Sequence, residues 1–236
     1  LIQVWASNKT PYDLRQKLSD ATGLSLDQFQ INFATIGGDF GGKGSPMEVP
    51  LCYYLALASN RPVKMVMDYV DEFMAANPRH AAVIEVKTGV KKDGTIVSHH
   101  VRGIFDSGAY GGFKPLVNLR GFSHAGGPYK IPHVKIESLQ VYTNNVPCGH
   151  MRGPGEPQAA FALESQMDLI ARDLDLDPLQ IRFKNIIAQG DEDALGHRFE
   201  GVQIKETLEA AVLEGKYGKP KAINVGRGIA LGDRPP

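Results

Sequence analysis

Cysteine, tryptophan, net charge and long apolar runs are all scarce in this chain, and each scarcity excludes something. Its 236 residues include two cysteines, Cys52 and Cys148, and one tryptophan, Trp5. Two lone thiols make neither a disulfide framework nor a metal-ligand spacing, which points to a reduced, cytoplasmic protein. Lys plus Arg total 26 and Asp plus Glu total 26. That balance leaves no long-range field to gather nucleic acid or an anionic membrane, so neither is expected as a partner. No stretch approaches the ~20 apolar residues of a membrane span. No secretory signal is legible. The chain opens without a methionine on Leu1-Ile2-Gln3-Val4-Trp5, a strand already under way, and so reads as a piece of a longer polypeptide.

What remains is a globular composition, 42% hydrophobic and 22% charged, sized for roughly one to two domains. The chain is organised around Gly37-Gly38-Asp39-Phe40-Gly41-Gly42-Lys43-Gly44. Before it, Ile31 to Ile36 reads as a strand. After it, Ser45-Pro46-Met47-Glu48 has the form of a helix capping box, with Pro50 delaying the regular helix to Val49 or Pro50. Strand, glycine loop and helix together suit an anion: glycine lets backbone N–H groups crowd a ligand, and a helix start adds the positive end of its dipole. The plainer reading is a glycine-rich surface turn. The spacing matches neither the Walker loop nor the dinucleotide fingerprint, so the residues support only a phosphate-binding loop of another kind.

Along the chain, Leu1 to Ala6 reads as a strand, and Thr10-Pro11 opens a helix carrying Leu14, Leu18 and Ala21 that Gly23 can close. A helix over about Pro50 to Ala58 precedes an alternating strand at Val63 to Met67. Val83-Ile84-Glu85-Val86 and Ile96-Val97-Ser98-His99 flank Asp93-Gly94, a tight hairpin signal. His80, His99 and His100 lack a carboxylate or cysteine at ligand spacing. Adjacent His99 and His100 point to opposite faces of a strand, so these are structural histidines and no metal ligand is assigned. Glycines at Gly108-Ala109-Tyr110-Gly111-Gly112 and Gly126-Gly127 bracket an irregular region holding Arg120 and His124. Val134 to Tyr142 alternates as a strand. Then Met151-Arg152-Gly153-Pro154-Gly155-Glu156-Pro157-Gln158 leads into a helix with Ala160, Leu163, Met167, Ile170 and Leu174 on one face. Asp177-Pro178 caps a short helix, and another covers about Lys205 to Leu213. Irregular alternation around a hairpin gives an α+β fold with a mixed or antiparallel sheet and packed helices.

Taken together and in order, Gly37 to Lys43, Asp106 to Tyr110, Tyr129-Lys130-Ile131-Pro132, Arg152 to Gln158, and Asp177-Pro178 to Asn185 resemble the molybdopterin-binding subunit of the xanthine dehydrogenase and aldehyde oxidase family. The resemblance runs through nearly the whole chain. It implies a molybdenum hydroxylase that inserts water-derived oxygen into a C–H bond of an aldehyde or N-heterocycle. The implied cofactor is molybdenum on molybdopterin, in the cytosine dinucleotide form, with iron–sulfur clusters and FAD on other domains or subunits. It implies cofactor contacts from Gly38, Phe40, Gly41 and Arg152, and substrate orientation by Arg120. Residues 1–224 would form the first molybdopterin-binding domain and 225–236 the start of a second half, which supplies the general base; this piece alone would be inactive. Three departures bear on substrate. Gly44 replaces a glutamate, Lys9 stands at or near a glutamine that donates to a molybdenum oxo group, and Pro154 replaces an aromatic. They point to a small or aliphatic aldehyde, or a non-purine heterocycle. The rival readings are a scaffold or assembly piece without catalysis, and an unrelated phosphate-binding module.

Overall fold

A computed structural model describes residues 1–110, 119–192 and 196–232. Gly111 and Gly112 of the irregular region, and Asp233 near the end, lie outside the described residues. The chain divides into two compact units. One comprises Leu1–His80, Ser107–Lys114 and Tyr142–Arg152; the other comprises Ala81–Asp106, Pro115–Val141 and Gly153–Pro236.

The first unit is built on a β–α–β unit. Strand β1 (Ile2–Trp5) pairs in parallel with β2 (Phe29–Asn32), from Ile2 opposite Phe29 to Trp5 opposite Asn32. Parallel neighbours need a crossover of a dozen or more residues, and helix α1 (Pro11–Thr22) supplies it. Leu14 and Leu18, one turn apart, are buried with Phe29, and Ile2, Val4, Val49 and Tyr53 close around them. Gly23 ends α1 at φ 73, donating back to the Ser19 carbonyl. Helix α2 (Val49–Ser59) and the short α3 (Tyr69–Ala75) complete the regular structure.

Three local expectations change here, and one element is new. The strand expected at 31–36 ends at Asn32, because its buried anchor is Phe29. The Ser45–Glu48 capping box does not form. Instead Met47 takes φ 43, the Val49 N–H donates to the Pro46 carbonyl at 3.0 Å, and α2 starts with Glu48 as its uncapped N-cap. Val63 to Met67 keeps its alternating exposure but joins no ladder among the described residues. Finally α3, unread in the sequence, is started by Asp68, whose carboxylate accepts from the Val70 and Asp71 amides.

The second unit is a three-stranded mixed sheet covered by helices. Strands β3 (Ala82–Val90) and β4 (Ile96–Asp106) form the antiparallel hairpin that Asp93-Gly94 signals, with Gly94 at φ 84, and β5 (His133–Val141) lies parallel to β4. Helix α4 (Glu156–Asp173) buries Leu163, Met167 and Ile170 beside Ile96, Tyr129 and Ile181. Phe105 and Phe122 stack edge to face at 4.8 Å in a second cluster. Helices α5 (Pro178–Asn185) and α6 (Ile204–Glu214) follow. Arg182 of α5 is fully buried. Its Nε donates to Glu164 Oε2 and its Nη1 to Asp168 Oδ1, each at 2.8 Å, while the Tyr129 hydroxyl donates to Glu164 Oε1 at 2.6 Å. Burial works against the Arg182 charge, but Glu164, Tyr129 and Asp168 together outweigh it and hold the guanidinium above its ordinary pKa. Cys52 and Cys148 are not joined in a disulfide. No helix among the described residues is long and apolar enough to cross a membrane.

Candidate functional site

The site grows from the turn between β1 and α1, which is stitched to the glycine loop. Asn8, buried, donates from Nδ2 to the Ser45 carbonyl at 2.9 Å and accepts from the Thr10 N–H at 2.8 Å. The Lys9 N–H donates to the Lys43 carbonyl at 2.9 Å, and Lys9 Nζ pairs with Asp39 Oδ2 at 2.6 Å. Asp39 is the loop's internal organiser. Its carboxylate accepts from the amides of Gly41 (3.0 Å) and Lys43 (2.8 Å), and its carbonyl accepts from Gly42 at 2.9 Å. Burial pushes the Asp39 carboxyl up, but Lys9 and the two amides together hold it below its ordinary value. Lys43 Nζ turns back onto the Ile36 carbonyl.

This revises the anion-binding geometry expected of the loop. The amides of Gly41, Gly42 and Lys43 serve Asp39, and α2 begins beyond the loop with the acidic Glu48 at its end. Donors for an anion must come from elsewhere, and the structure brings them from the end of the first unit. The Arg152 N–H donates to the Phe40 carbonyl at 2.6 Å, and the Arg152 guanidinium carbon stands 5.7 Å from the centroid of the Phe40 ring. Arg79 Nη2 donates to the Arg152 carbonyl at 2.8 Å, and burial lowers the Arg79 pKa. Sequence reasoning missed Arg79; nothing in Asn77-Pro78-Arg79 marks it, and only folding carries it to Arg152.

Both central residues sit in the left-handed region, Phe40 at φ 50 and Arg152 at φ 22. Non-glycine residues there cost on the order of 1–3 kcal/mol, and such outliers cluster at ligand sites. Phe40 is nonetheless 58% exposed, so its strain gains no core packing in return. The glycines fit it closely. A Cβ at Gly41, φ 107, would lie 2.6 Å from the His150 carbonyl oxygen; a Cβ at Gly38 would lie 2.7 Å from the Phe40 ring. Beside the loop opens a cleft of about 1150 Å³, which Gly38, Phe40 and His150 help to line. The His150 pKa is lowered by burial and by the Lys9 charge.

Phe40, Gly38, Gly41 and Arg152 are therefore gathered in one unit. Arg120 belongs to the other, exposed on a 3-10 helix at Arg120–His124, where its carbonyl accepts from Ser123 Oγ at 2.6 Å. His99 is buried in the same second unit with its Nδ1 3.1 Å from Thr88 Oγ1, and His100 Nε2 pairs with Glu137 at 2.5 Å.

An exposed strained aromatic under an arginine, cradled by glycines, is a surface made to hold something, and the comparison with known proteins agrees. Residues 1–186 match the molybdopterin cofactor-binding domain. The chain belongs to that family. It is 35% identical over 212 residues to the nicotinate dehydrogenase large molybdopterin subunit of Eubacterium barkeri, an alignment that covers 89% of this chain and 50% of that protein. Among solved structures, aldehyde oxidoreductase from Desulfovibrio gigas superposes with a TM-score of 0.82 at 30% identity, covering 91% of this chain and 24% of its own. Quinoline 2-oxidoreductase from Pseudomonas putida 86 superposes with a TM-score of 0.81 at 26% identity, covering 92% of this chain and 28% of its own. The chain thus spans about a quarter to a half of the length of these relatives. The α+β fold with its mixed sheet is the fold these relatives share, as expected from the sequence.

Proposed function

We propose that this chain is the first molybdopterin-binding domain, residues 1–224, of a molybdenum hydroxylase that oxidises an aldehyde or a non-purine N-heterocycle with water-derived oxygen. The observation that carries the proposal is the pairing of exposed Phe40 with Arg152, both at positive φ and joined by a backbone hydrogen bond. The donor set fits an anionic, planar group: Arg152 offers a permanently charged planar fork beside an open aromatic face, and the one carboxylate of the loop, Asp39, is already paired with Lys9. When bound, molybdopterin with its molybdenum supplies the redox chemistry. This chain's residues hold and orient. Phe40 and Arg152 flank the cofactor, Gly38 leaves room for the Phe40 ring, and Gly41 lets the loop approach His150. Arg120 orients the substrate. We assign the cytosine dinucleotide form to the cofactor. Iron–sulfur and flavin subunits and the second half of the molybdopterin subunit are the proposed partners, and the cytoplasm the proposed location.

The family match argues against an unrelated phosphate-binding module, and the exposed strain at Phe40 against a passive scaffold. The test is metal and pterin analysis of the longer polypeptide carrying this region, beside the 236-residue chain. Molybdenum and pterin are expected in the first and absent from the second, and Arg152→Lys should lower both contents because an ammonium cannot reproduce a two-point planar contact. A longer polypeptide free of molybdenum after expression with cofactor synthesis intact, or a variant with full cofactor content and rate, overturns the assignment.

A further inference from the structure

The stretch that carries Arg152 is held by residues to which the proposed function gives no role. Hydrogen bonds join residues 77–79 to residues 149–152, all within the first unit. The Gly149 N–H donates to the Pro78 carbonyl at 3.1 Å. On one side of that bond Asn77 Nδ2 donates to the His150 carbonyl at 2.9 Å. On the other, Arg79 Nη2 donates to the Arg152 carbonyl at 2.8 Å. Alternate side chains of one segment thus reach alternate carbonyls of the other. Arg152 is gripped at both of its backbone polar groups, its C=O by Arg79 and its N–H by the Phe40 carbonyl. The His150 carbonyl that Asn77 holds is the one whose oxygen would meet a Cβ at Gly41 at 2.6 Å. Gly149 leaves the room for this. A Cβ there would overlap Asn77 Oδ1, and the nearest atoms around it all belong to the Asn77 side chain. Gly149 lies outside the left-handed region, so space for Asn77, not backbone conformation, calls for glycine.

We propose that Asn77 and Arg79 are positioning residues that hold Arg152 at φ 22 with its guanidinium over the Phe40 ring. Their importance for the cofactor rests on the reading of Phe40 and Arg152 as cofactor contacts. A non-glycine residue keeps such a φ only where its surroundings over-determine it. Here those surroundings are Arg79 at one end of the residue and Phe40 at the other. Arginine suits the task, because its planar fork is pre-organised and gives up less freedom per hydrogen bond than a lysine. Released from Arg79, the Arg152 backbone returns to an unstrained region. The guanidinium is carried on that backbone, so it leaves the ring. Asn77 acts one step earlier, by fixing the His150 backbone against Gly41. Neither residue has to touch the cofactor; each works through the backbone of residues 150–152.

The first readout needs no cofactor. It is the ring-current shift of the Arg152 δ-methylene protons in the NMR spectrum of the 236-residue chain, with Phe40→Leu as the reference without a ring. Arg79→Ala should abolish the shift. Arg79→Lys should restore part of it, since an ammonium can still donate one hydrogen bond to the Arg152 carbonyl. Asn77→Ala should reduce it. Gly149→Ala should reproduce that reduction by displacing the Asn77 side chain, and the two substitutions together should do no more than Asn77→Ala alone. The second readout is the molybdenum content of the longer polypeptide. Arg79→Ala should lose as much as Arg152→Lys, and the double variant no more than either. A residue with a merely structural role would instead add its own loss to that of Arg152→Lys. A full ring-current shift in folded Arg79→Ala overturns the inference, as does an additive loss of molybdenum. Should Arg79→Ala fail to fold, the pair at Asn77 and Gly149 decides, and unequal or additive effects there overturn it. A shift lost in Arg79→Ala beside full molybdenum content in Arg152→Lys supports the positioning of Arg152 and overturns the cofactor assignment alone.

Discussion

The second unit buries three aromatic rings in its core, Phe105, Phe122 and Tyr129, each at most 2% exposed, and leaves Phe161 on the outer face of α4 at 77%. In the first unit Trp5 is 70% exposed, Tyr69 79% and Phe73 67%, and Phe40 joins them. The two units are similar in their secondary structure but not in what covers it. In the second, α4 lies over the sheet and a buried arginine ties α4 to α5. In the first, a two-stranded sheet has helices on its core side and no third strand among the described residues. An exposed apolar patch of this kind marks an interaction surface, and here it coincides with strained backbone at Phe40 and Arg152. The difference teaches that the second unit is a support whose energetics are internal, and that the first is shaped for what it binds.

The comparison breaks most readily at Arg182. Replacing it with alanine leaves the buried Glu164 carboxylate without its guanidinium, a loss of about 3–5 kcal/mol, read as a drop in urea-unfolding free energy. A loss under about 1 kcal/mol would show that the packing of Leu163, Met167 and Ile170 with Ile181, not the ion pair, fixes α4 against α5. The first unit should show a smaller effect at the glycine loop. Gly41→Ala combines φ 107 with a Cβ 2.6 Å from the His150 carbonyl oxygen, and should cost on the order of 1–3 kcal/mol in the same assay. No loss would mean that the loop can move away from His150 freely. Smaller again is Phe40→Ala. With its ring 58% exposed, truncation should change stability by within about 0.5 kcal/mol, while lowering cofactor content in the longer polypeptide. A loss of several kcal/mol would make Phe40 a structural residue after all.

How much of this was legible depends on whether the deciding physics is local. The β3–β4 hairpin follows from Asp93-Gly94, and α4 from apolar residues every three or four positions, since turn chemistry and helical period lie within a few residues. The Asn32 end of β2 was not legible, because it is set by burial of Phe29 against Leu14 and Leu18. Nor was the failure of the Ser45–Glu48 box, where Pro46 and Met47 turn the chain before α2. At Val63 to Met67 the period reports exposure truly; the ladder it suggests has no partner among the described residues. In the site, the ordered motifs named Phe40 and Arg152, but only the fold shows that Arg152 reaches Phe40 through its amide, that Arg79 supports it, and that Asp39 takes the loop's own N–H groups.

The smallest effect concerns that last point. Asp39 links the two stretches of the first unit, the β1–α1 turn through Lys9 and the glycine loop through Gly41 and Lys43. Its carboxyl titrates below its ordinary value in the folded chain, so folding favours the ionised form. The stabilisation is complete above the unfolded pKa of ~3.9 and is lost as pH falls through the lower folded value. With the Lys9 side chain 45% exposed, solvent screening keeps the contribution under about 1 kcal/mol. Other carboxylates also titrate in this range, so the readout is the difference between the native chain and Asp39→Asn, which cannot ionise. Native stability should exceed the variant's at about pH 6, the gap should close below about pH 4, and added salt should narrow it at the higher pH. A gap that stays constant down to about pH 2 would mean that Asp39 holds the loop by its shape and hydrogen bonds alone, and that Lys9 is a bystander to the conformation of Phe40.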